Sequence, residues 1–248
     1  MERAASDQLV DHRGVWERKP VLRLVYDDFY DRIAAACRRG RTIEIGGGIG
    51  NLKQRLTEVV ATDIQSAPWL DCVADAQRLP FADACAANIV MVDVLHHLEF
   101  PLVFFREAAR VLRPGGRVLM VEPAITWGSS LFYRLFHHEP VRTSADALAN
   151  GSPDPRRDPY ASNQAIPTLL ATRDRARFHR LFPTLRIASV QWFSLAAYPL
   201  SGGFKPWSLV GDGVARRLLR IERALEPALG RYAAFRMLLM VEKATDSP

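Results

Sequence analysis

The segment IEIGGGIGN holds the residue types best suited to chemistry, because it follows one acidic residue with closely spaced glycines. Glu44 precedes Gly46, Gly48 and Gly50, each two positions after the last. Glycines at these positions let the backbone turn tightly and approach a ligand closely. The carboxylate beside them would repel a pyrophosphate, whereas it suits a cationic ligand that carries an ammonium and a sulfonium.

The spacing of the small residues separates two cofactor classes. A dinucleotide site follows the pattern G-x-G-x-x-G/A, with a third small residue where the helix meets the strand. Counting from Gly46 places Asn51 there, and counting from Gly48 places Lys53 there. The loop therefore favours S-adenosylmethionine over a nicotinamide dinucleotide. Asp63, at the end of the next apolar run, can accept hydrogen bonds from ribose hydroxyls in either class.

Two histidine pairs are candidates for acid–base or metal chemistry. His96 and His97 follow Asp93 at the end of an apolar run, where either ring could act as a general base, His97 before His96, or simply pack. His137 and His138 lie in the segment FHHEP and are candidates for a substrate pocket. Adjacent histidines rarely chelate one ion together, so we expect no metal site.

The elements that must position these residues alternate between strand and helix patterns. A helical pattern covers residues 19–39, and another follows the glycine loop. Apolar runs predict strands at 58–64, 88–95, 184–193 and in FRMLLMVEK. Long loops are expected within 123–167 and over 199–213. This alternation predicts a parallel sheet that is covered by helices on both faces.

Composition excludes several classes of protein. Hydrophobic residues make up 48% of the chain and charged residues 24%, values typical of a globular protein rather than a disordered one. No apolar run approaches the roughly 18 residues that a membrane span needs. The N-terminal segment is polar and acidic, unlike a signal peptide, and the three cysteines form no CxxC pair. We therefore expect a cytoplasmic location.

The formal net charge is +6, and only four of the 33 basic residues are lysine. Arginines cluster in two predicted helices, at Arg173, Arg175, Arg177 and Arg180, and at Arg216, Arg217, Arg220 and Arg223. A solvated helix face is the ordinary interpretation, and contact with an anionic membrane surface or an acidic substrate stays open. No RNA-recognition motif accompanies these arginines, so a nucleic-acid partner is not expected.

Five segments occur together in one order, namely IEIGGGIGN, TDI, DCVADAQRLPF, NIVMVDVLHHLE and EAARVLRPGGRVLMVEP. Over roughly residues 40–123 the chain thereby resembles the class I S-adenosylmethionine (SAM)-dependent methyltransferases, especially the type-11 methyltransferase-domain branch. The resemblance implies an α/β, Rossmann-like sheet of seven mostly parallel strands with helices on both faces. It also implies that FRMLLMVEK is an antiparallel last strand and that the late insertions form a helical lid.

The resemblance also implies roles for individual residues. Glu44 and the three glycines would hold the methionine part of SAM, and Asp63 with Ile64 would hold the ribose. Asp75 with Ala76 would contact the adenine, and Asp93 with Val94 would border the methyl group.

Several further side chains have two interpretations. The connector SAPWL is too short for a crossover helix, and Trp69 within it either covers the adenine or packs. Three aromatic side chains before the glycine loop either face the sulfonium or pack between helices, namely Trp16, Tyr26 and Tyr30. Two polar side chains in a later segment either bind the substrate or cap the helix that follows, namely Asn163 and Gln164.

We therefore expect one methyltransferase domain over residues 1–248. Its parts are N-terminal cap helices (1–40), a cofactor-binding core (41–122) and lid or substrate insertions (123–183 and 194–232). The expected reaction is methyl transfer from SAM to a small or medium organic molecule, with the acceptor atom and the oligomeric state open. The alternatives are a membrane-associated lipid or quinone methyltransferase, a nicotinamide-dependent oxidoreductase and a non-catalytic SAM-binding protein.

Overall fold

A seven-stranded sheet organises the computed structural model, which describes residues 6–136, 140–154 and 156–245. The strands are β1 (Thr42–Ile45), β2 (Val59–Asp63), β3 (Cys72–Val73), β4 (Ala86–Val92), β5 (Leu112–Pro123), β6 (Leu185–Phe193) and β7 (Arg236–Lys243). Their order across the sheet is β3-β2-β1-β4-β5-β7-β6. The first five strands of that order run parallel, and β7 is antiparallel to both β5 and β6. The expected fold class and the antiparallel last strand are confirmed.

Successive residues of the central strands pack into different cores, as expected for a sheet covered on both faces. Ile89 and Met91 of β4 join the core on one face, and Val90 between them joins the core on the other. Both cores exclude solvent from strands that have no polar face, which explains the near-continuous apolar runs in the sequence.

The helices are α1 (Asp7–Arg18), α2 (Pro20–Ala36), α3 (Pro101–Val111), α4 (Trp127–Phe136), α5 (Ile166–Ala171), α6 (Arg175–Leu181), α7 (Ala197–Ser201) and α8 (Asp212–Ala233). Phe104 of α3 and Phe178 of α6 fill the first core, whereas Phe29 of α2 fills the second. No helix in the described ranges is both long enough and apolar enough to cross a bilayer.

Two local predictions are wrong. The helix expected after the glycine loop is only a 3-10 turn over Asn51–Gln54, because Gly50 adopts a left-handed φ of 76° and β2 begins at Val59. The loop expected over 199–213 is shorter than predicted, because its first residues belong to α7 and its last two belong to α8. The connector between β2 and β3 contains no helix, as the short spacing indicated.

Candidate functional site

A cavity of about 510 Å³ opens at the carboxyl edge of the parallel strands. Ligands of open α/β sheets bind at this edge, where the strand order reverses. The cavity wall includes most of the predicted site residues, namely Glu44, Gly46, Gly48, Asp63, Ile64, Asp93, Val94, His96 and His97. The fold thus brings together side chains that follow β1, β2 and β4.

Glu44 is a buried carboxylate at the floor of this cavity. It is 4% exposed, and its Oε2 atom has no hydrogen-bond partner among the described residues. Burial raises the pKa of Glu44 to about 8, an effect that the nearby Lys53 charge partly opposes. A buried acceptor without a donor is costly, so this atom is suited to a cationic or N–H donor ligand.

The glycine turn leaves room beside this carboxylate. Gly46 has a φ of 66°, and a Cβ atom there would lie 2.2 Å from Cγ2 of Val94. A Cβ atom at Gly47 would lie 3.2 Å from Oε2 of Glu44. Side chains at these two positions would close the approach to the carboxylate, which explains why glycines occupy the turn.

Asp63 connects the end of β2 to the same turn. Its oxygens accept backbone N–H groups from Gly48 at 3.0 Å and from Gln65 at 2.9 Å. A carboxylate has about four acceptor positions, so two bonds leave capacity for ligand hydroxyls. The Trp69 indole donates to the Gly48 carbonyl at 2.8 Å, and Trp69 is absent from the cavity wall. Trp69 thus packs against the turn from outside.

An ion pair between a buried arginine and a half-buried aspartate lies beside the predicted methyl position. Arg236 is 3% exposed and donates through Nη1 to Asp93, which also lies 3.5 Å from the Tyr26 hydroxyl. The guanidinium is 3.9 Å from the centre of the Tyr198 ring, and its Nε atom has no hydrogen-bond partner among the described residues. Asp93 has a φ of 58°, a conformation that costs a non-glycine residue energy. The ion pair fixes the carboxylate in this conformation.

His96 belongs to a second buried network, built on Glu122. Oε2 of Glu122 lies 2.6 Å from Nδ1 of His96, while Oε1 accepts the N–H groups of Val94 and Leu95 at 2.9 and 2.6 Å. A proton on Nδ1 that is donated to Glu122 leaves Nε2 as the basic nitrogen of the neutral ring. Ligand atoms of Asp93, His96 and Glu122 lie within 4.8 Å of one another, a spacing that a metal ion would also accept. Their existing partners favour a hydrogen-bonded network over a metal site.

Three predicted cofactor residues do not line the cavity. Gly50 packs near Trp69, Asp75 accepts the Gln77 N–H at 2.8 Å, and the Ala76 side chain lies in a hydrophobic core. Their assignment to SAM therefore stays a prediction. His137 and His138 lie outside the described residues.

The remaining wall comes from the N-terminal helices and the late insertions. Tyr26, Tyr30 and Gln164 line it, whereas Asn163 accepts the N–H groups of Arg142 and Ala165 and so holds a turn. Trp16 packs edge-on against Tyr26. Sequence reasoning missed the other wall residues that carry polar or aromatic groups, namely Gln8, His12, Gln65, Tyr133, Tyr160, Tyr198, Phe204, Lys205 and Arg236.

The cap and one insertion are joined by a buried lysine. Lys19, between α1 and α2, donates to the carbonyls of Gly203 at 2.6 Å and Lys205 at 2.8 Å. Burial lowers the pKa of Lys19 to about 8. These bonds hold the N-terminal helices and the segment after α7 together over the cavity.

Glu122 and Arg236 are the functional candidates that the sequence could have revealed. Glu122 lies near the end of an apolar strand, as Asp63 does. An acidic residue at the end of such a strand indicates a ligand-binding position in both cases. Arg236 begins an antiparallel strand and pairs in register with Pro123, so it lies at the carboxyl edge of the parallel strands. A charged residue at the start of that strand was the available clue.

The fold and the position of the cavity define a class I methyltransferase architecture. A possible histamine N-methyltransferase from Thermotoga maritima has a similar structure, with a TM-score of 0.60 and 14% identity over 97% of this chain and 100% of that one. At this identity the likeness concerns the fold alone.

Sequence comparison adds the family. Residues 43–120 match the type-11 family model described as a methyltransferase domain. The ubiquinone/menaquinone biosynthesis C-methyltransferase UbiE of Rubrivivax gelatinosus is 28% identical over 127 residues, which cover 50% of this chain and 47% of that protein. The 27-O-demethylrifamycin SV methyltransferase of Amycolatopsis mediterranei is 45% identical over 47 residues, which cover 19% of this chain and 17% of that protein. The aligned part thus spans less than half of each curated relative.

These findings confirm the class that the sequence motifs indicated. Residues 43–120 match the type-11 methyltransferase-domain model, and the fold of the chain is that of the class I SAM-dependent methyltransferases.

Proposed function

We propose that this protein binds SAM at Glu44 and Asp63 and transfers the methyl group to a small or medium organic acceptor bound beyond Asp93. The observation that carries the proposal is the buried Oε2 atom of Glu44, which has no donor among the described residues and lies beside the glycine turn. The α-ammonium of SAM would supply a charged donor to this atom. The ribose hydroxyls would then reach Asp63, at the end of the neighbouring strand.

The extent of the cavity supports catalysis rather than cofactor binding alone. Its volume of about 510 Å³ is within the range of sites that bury a small ligand. The wall continues past Asp93 to Pro123, Tyr133 and Gln164, on the far side from Glu44 and Asp63 along the strand edge. A non-catalytic SAM-binding protein would need no such second compartment.

SAM supplies an electrophilic methyl group on a positively charged sulfur. The protein must therefore align the acceptor, exclude water and, for a protonated acceptor, remove a proton. The cap helices and the Gly203–Lys205 segment exclude water by closing over the cavity. Asp93, held by Arg236, is placed to accept a hydrogen bond from an acceptor group. His96, oriented by Glu122, is the better placed of the two adjacent histidines to act as a base, because its Nδ1 partner is buried and ionisable.

The acceptor compartment is aromatic with a few polar groups, since Tyr133, Tyr198 and Phe204 line the cavity together with Gln164. Such a wall suits an organic molecule with a ring or an extended apolar part and hydrogen-bonding substituents. The two curated relatives are named for C-methyl transfer in quinone biosynthesis and for a methyltransferase acting at an oxygen of a rifamycin. These names support an organic acceptor and leave the acceptor atom open.

A nicotinamide-dependent oxidoreductase is the weaker proposal for this cavity. Buried Glu44 would face the pyrophosphate, and Lys53, which would otherwise counter it, is engaged with Asp71 at 2.7 Å. The expected cytoplasmic location remains a prediction from composition.

Calorimetric titration with S-adenosylhomocysteine and, in parallel, with NADH tests the proposal. We expect micromolar binding of S-adenosylhomocysteine and at least about 30-fold weaker binding by Asp63→Ala, because two charged hydrogen bonds are lost. Asp83→Ala is the matched control, because Asp83 is an exposed carboxylate that pairs with Arg110 away from the cavity. Binding of NADH in place of S-adenosylhomocysteine would refute the proposal. Release of S-adenosylhomocysteine from SAM, screened against phenols, quinols and carboxylic acids, then identifies the acceptor class.

A further inference from the structure

The outward face of α8 carries an unusual row of apolar side chains. Val214, Ile221, Leu225, Ala228 and Tyr232 are all exposed, and their spacings of seven, four, three and four residues place them on one side of the helix. Ile221 is 56% exposed and Tyr232 67% exposed. We call this row the α8 stripe. An apolar face of this length on a surface helix indicates a contact with something other than water.

Helix α4 extends the α8 stripe at its C-terminal end. Trp127 is 92% exposed and Leu131 is 64% exposed. Gly128, next to Trp127, packs closely on α8, since a Cβ atom there would lie 3.1 Å from Cα of Ala233. Trp127 therefore lies beside the end of α8 that carries Tyr232. Tryptophan and tyrosine at the rim of an apolar surface are typical of the interface between lipid and water.

The charges around the α8 stripe have one sign. Arg216, Arg217, Arg220 and Arg231 are exposed and have no acidic partner in the described part of the chain. By helical spacing, Arg217 lies one turn before Ile221, Arg231 lies one turn after Ala228, and the four arginines lie along one side of the α8 stripe.

The three acids of α8 are placed elsewhere. Asp212 is in the first turn, where it stabilises the helix dipole. Glu222 is buried and accepts the Ala197 N–H at 2.6 Å, and Glu226 pairs with Arg32 at 2.9 Å. The outward surface of α8 therefore combines apolar and cationic groups without a compensating acid.

We propose that the α8 stripe, with Trp127 and Leu131 of α4, docks this protein on a membrane surface that carries anionic headgroups. The apolar side chains would enter the headgroup region, and the flanking arginines would contact the lipid phosphates. A second copy of the chain fits this surface less well, because a symmetric contact would bring the two arginine rows together without acids between them. A nucleic acid would explain the arginines and would leave the exposed tryptophan, leucines and isoleucine without a role.

The docking surface and the cavity lie on opposite sides of helix α4. Tyr133 of α4 lines the cavity and donates its hydroxyl hydrogen to the Phe235 carbonyl at 3.1 Å, whereas Leu131 points to solvent. Arg236, at the methyl-transfer end of the cavity, follows α8 after a short connection. A protein docked in this way would hold its acceptor compartment next to the bilayer, which suits an acceptor with an apolar tail.

Vesicle co-sedimentation tests the docking without any need for SAM or an acceptor. We expect the full chain to sediment with vesicles of equal parts phosphatidylcholine and phosphatidylglycerol, and much less with phosphatidylcholine alone. The triple variant Arg216→Gln, Arg217→Gln, Arg220→Gln should lower the partition coefficient about 100-fold. Its control is Arg78→Gln, Arg156→Gln, Arg186→Gln, which removes the same net charge from other exposed positions and should retain binding.

The apolar contribution has its own matched pair of variants. Trp127→Gln with Ile221→Gln should weaken partitioning at least about tenfold, whereas Val10→Gln with Leu181→Gln, at exposed positions on α1 and α6, should leave it unchanged. Tryptophan fluorescence of the wild type should shift to the blue on vesicle binding, and Trp127→Phe should lose that shift.

Three outcomes would overturn the proposal. The first is that the protein sediments equally with neutral and anionic vesicles, or that it sediments with neither. The second is a doubling of mass in light scattering that Trp127→Gln with Ile221→Gln abolishes, which would assign the surface to a second copy of the chain. The third is binding to duplex DNA or RNA that is tighter than vesicle binding and depends on the arginines alone.

Discussion

Replacement of Glu44 by glutamine is the change that most directly tests how the cavity recognises its cofactor. In the ligand-free protein, burial raises the pKa of Glu44 to about 8, so the group is mainly protonated at neutral pH. A bound ammonium would favour the ionised carboxylate. Ligand binding at neutral pH must then release the proton that Glu44 holds.

The size of this proton release follows from the pKa. At pH 7 a group with a pKa of about 8 is about nine-tenths protonated, so ionisation on binding releases about 0.9 proton. The amino group of the ligand is that of a free amino acid, which already carries its proton at pH 7, so it takes up almost none in return. The wild type should therefore release about 0.9 proton per ligand. Glu44→Gln has no carboxylate and should release almost no proton.

Calorimetry with S-adenosylhomocysteine in buffers of different ionisation enthalpy measures these protons directly. The affinity of the wild type should also rise about 50-fold relative to Glu44→Gln between pH 6 and pH 8, because the ionised fraction rises by that factor. Glu58→Gln, at an exposed position, controls for the change in net charge.

The same pKa shift predicts how stability depends on pH without ligand. A carboxyl whose folded-state pKa is raised contributes stability below its unfolded value, near 4.5, and loses it as the pH rises through about 8. The wild type should thus lose stability on the order of 5 kcal/mol over this window relative to Glu44→Gln. Chemical unfolding at several pH values measures the difference. Equal proton release by the two proteins, or an equal affinity for S-adenosylhomocysteine, would refute the assigned role of Glu44.

Three other variants test further parts of the site. Gly46→Ala should lose S-adenosylhomocysteine binding and about 2 kcal/mol or more of unfolding free energy in urea, since the φ of Gly46 is 66° and a Cβ atom there would clash with Val94. Its control is Gly213→Ala, at a position in open space on α8, which should be neutral or slightly stabilising in the same urea unfolding. Glu122→Gln should cost about 3 kcal/mol in the same assay, because an amide group would face either His96 or two backbone N–H groups, and it should shift the pH profile of any methyl transfer that uses His96. Arg236→Met should weaken acceptor binding in steady-state kinetics while leaving S-adenosylhomocysteine affinity within about threefold, and an equal loss of both would place Arg236 in the cofactor site instead.

The glycine loop and the strand ends could be read from the sequence because they depend on local properties. A run such as NIVMVDVL is buried wherever it forms a strand, and glycines at Gly46 and Gly48 are required by the turn itself. The parallel order of strands then brings their carboxyl ends to one edge. Glu44, Asp63 and Asp93 were found for this reason.

The missing helix after the glycine loop shows where local reasoning fails. The periodicity of NLKQRL is helical, but periodicity alone does not show how much chain is available for a helix before β2 begins at Val59. Asp75 and Ala76 do not line the cavity, and their assignment to SAM stays a prediction.

The pairing of distant residues was decided only by the tertiary structure. The sequence by itself determined a class I methyltransferase domain, a glycine turn beside a carboxylate and the candidate pair His96 and His97. Asp93 and Arg236 are 143 residues apart, and their contact depends on β7 inserting antiparallel beside β5. The α8 stripe likewise became visible only when packing had buried the opposite face of the helix and left its arginines and apolar side chains outside. Periodicity in a sequence predicts that a helix has two faces, and the surrounding contacts decide which face water reaches.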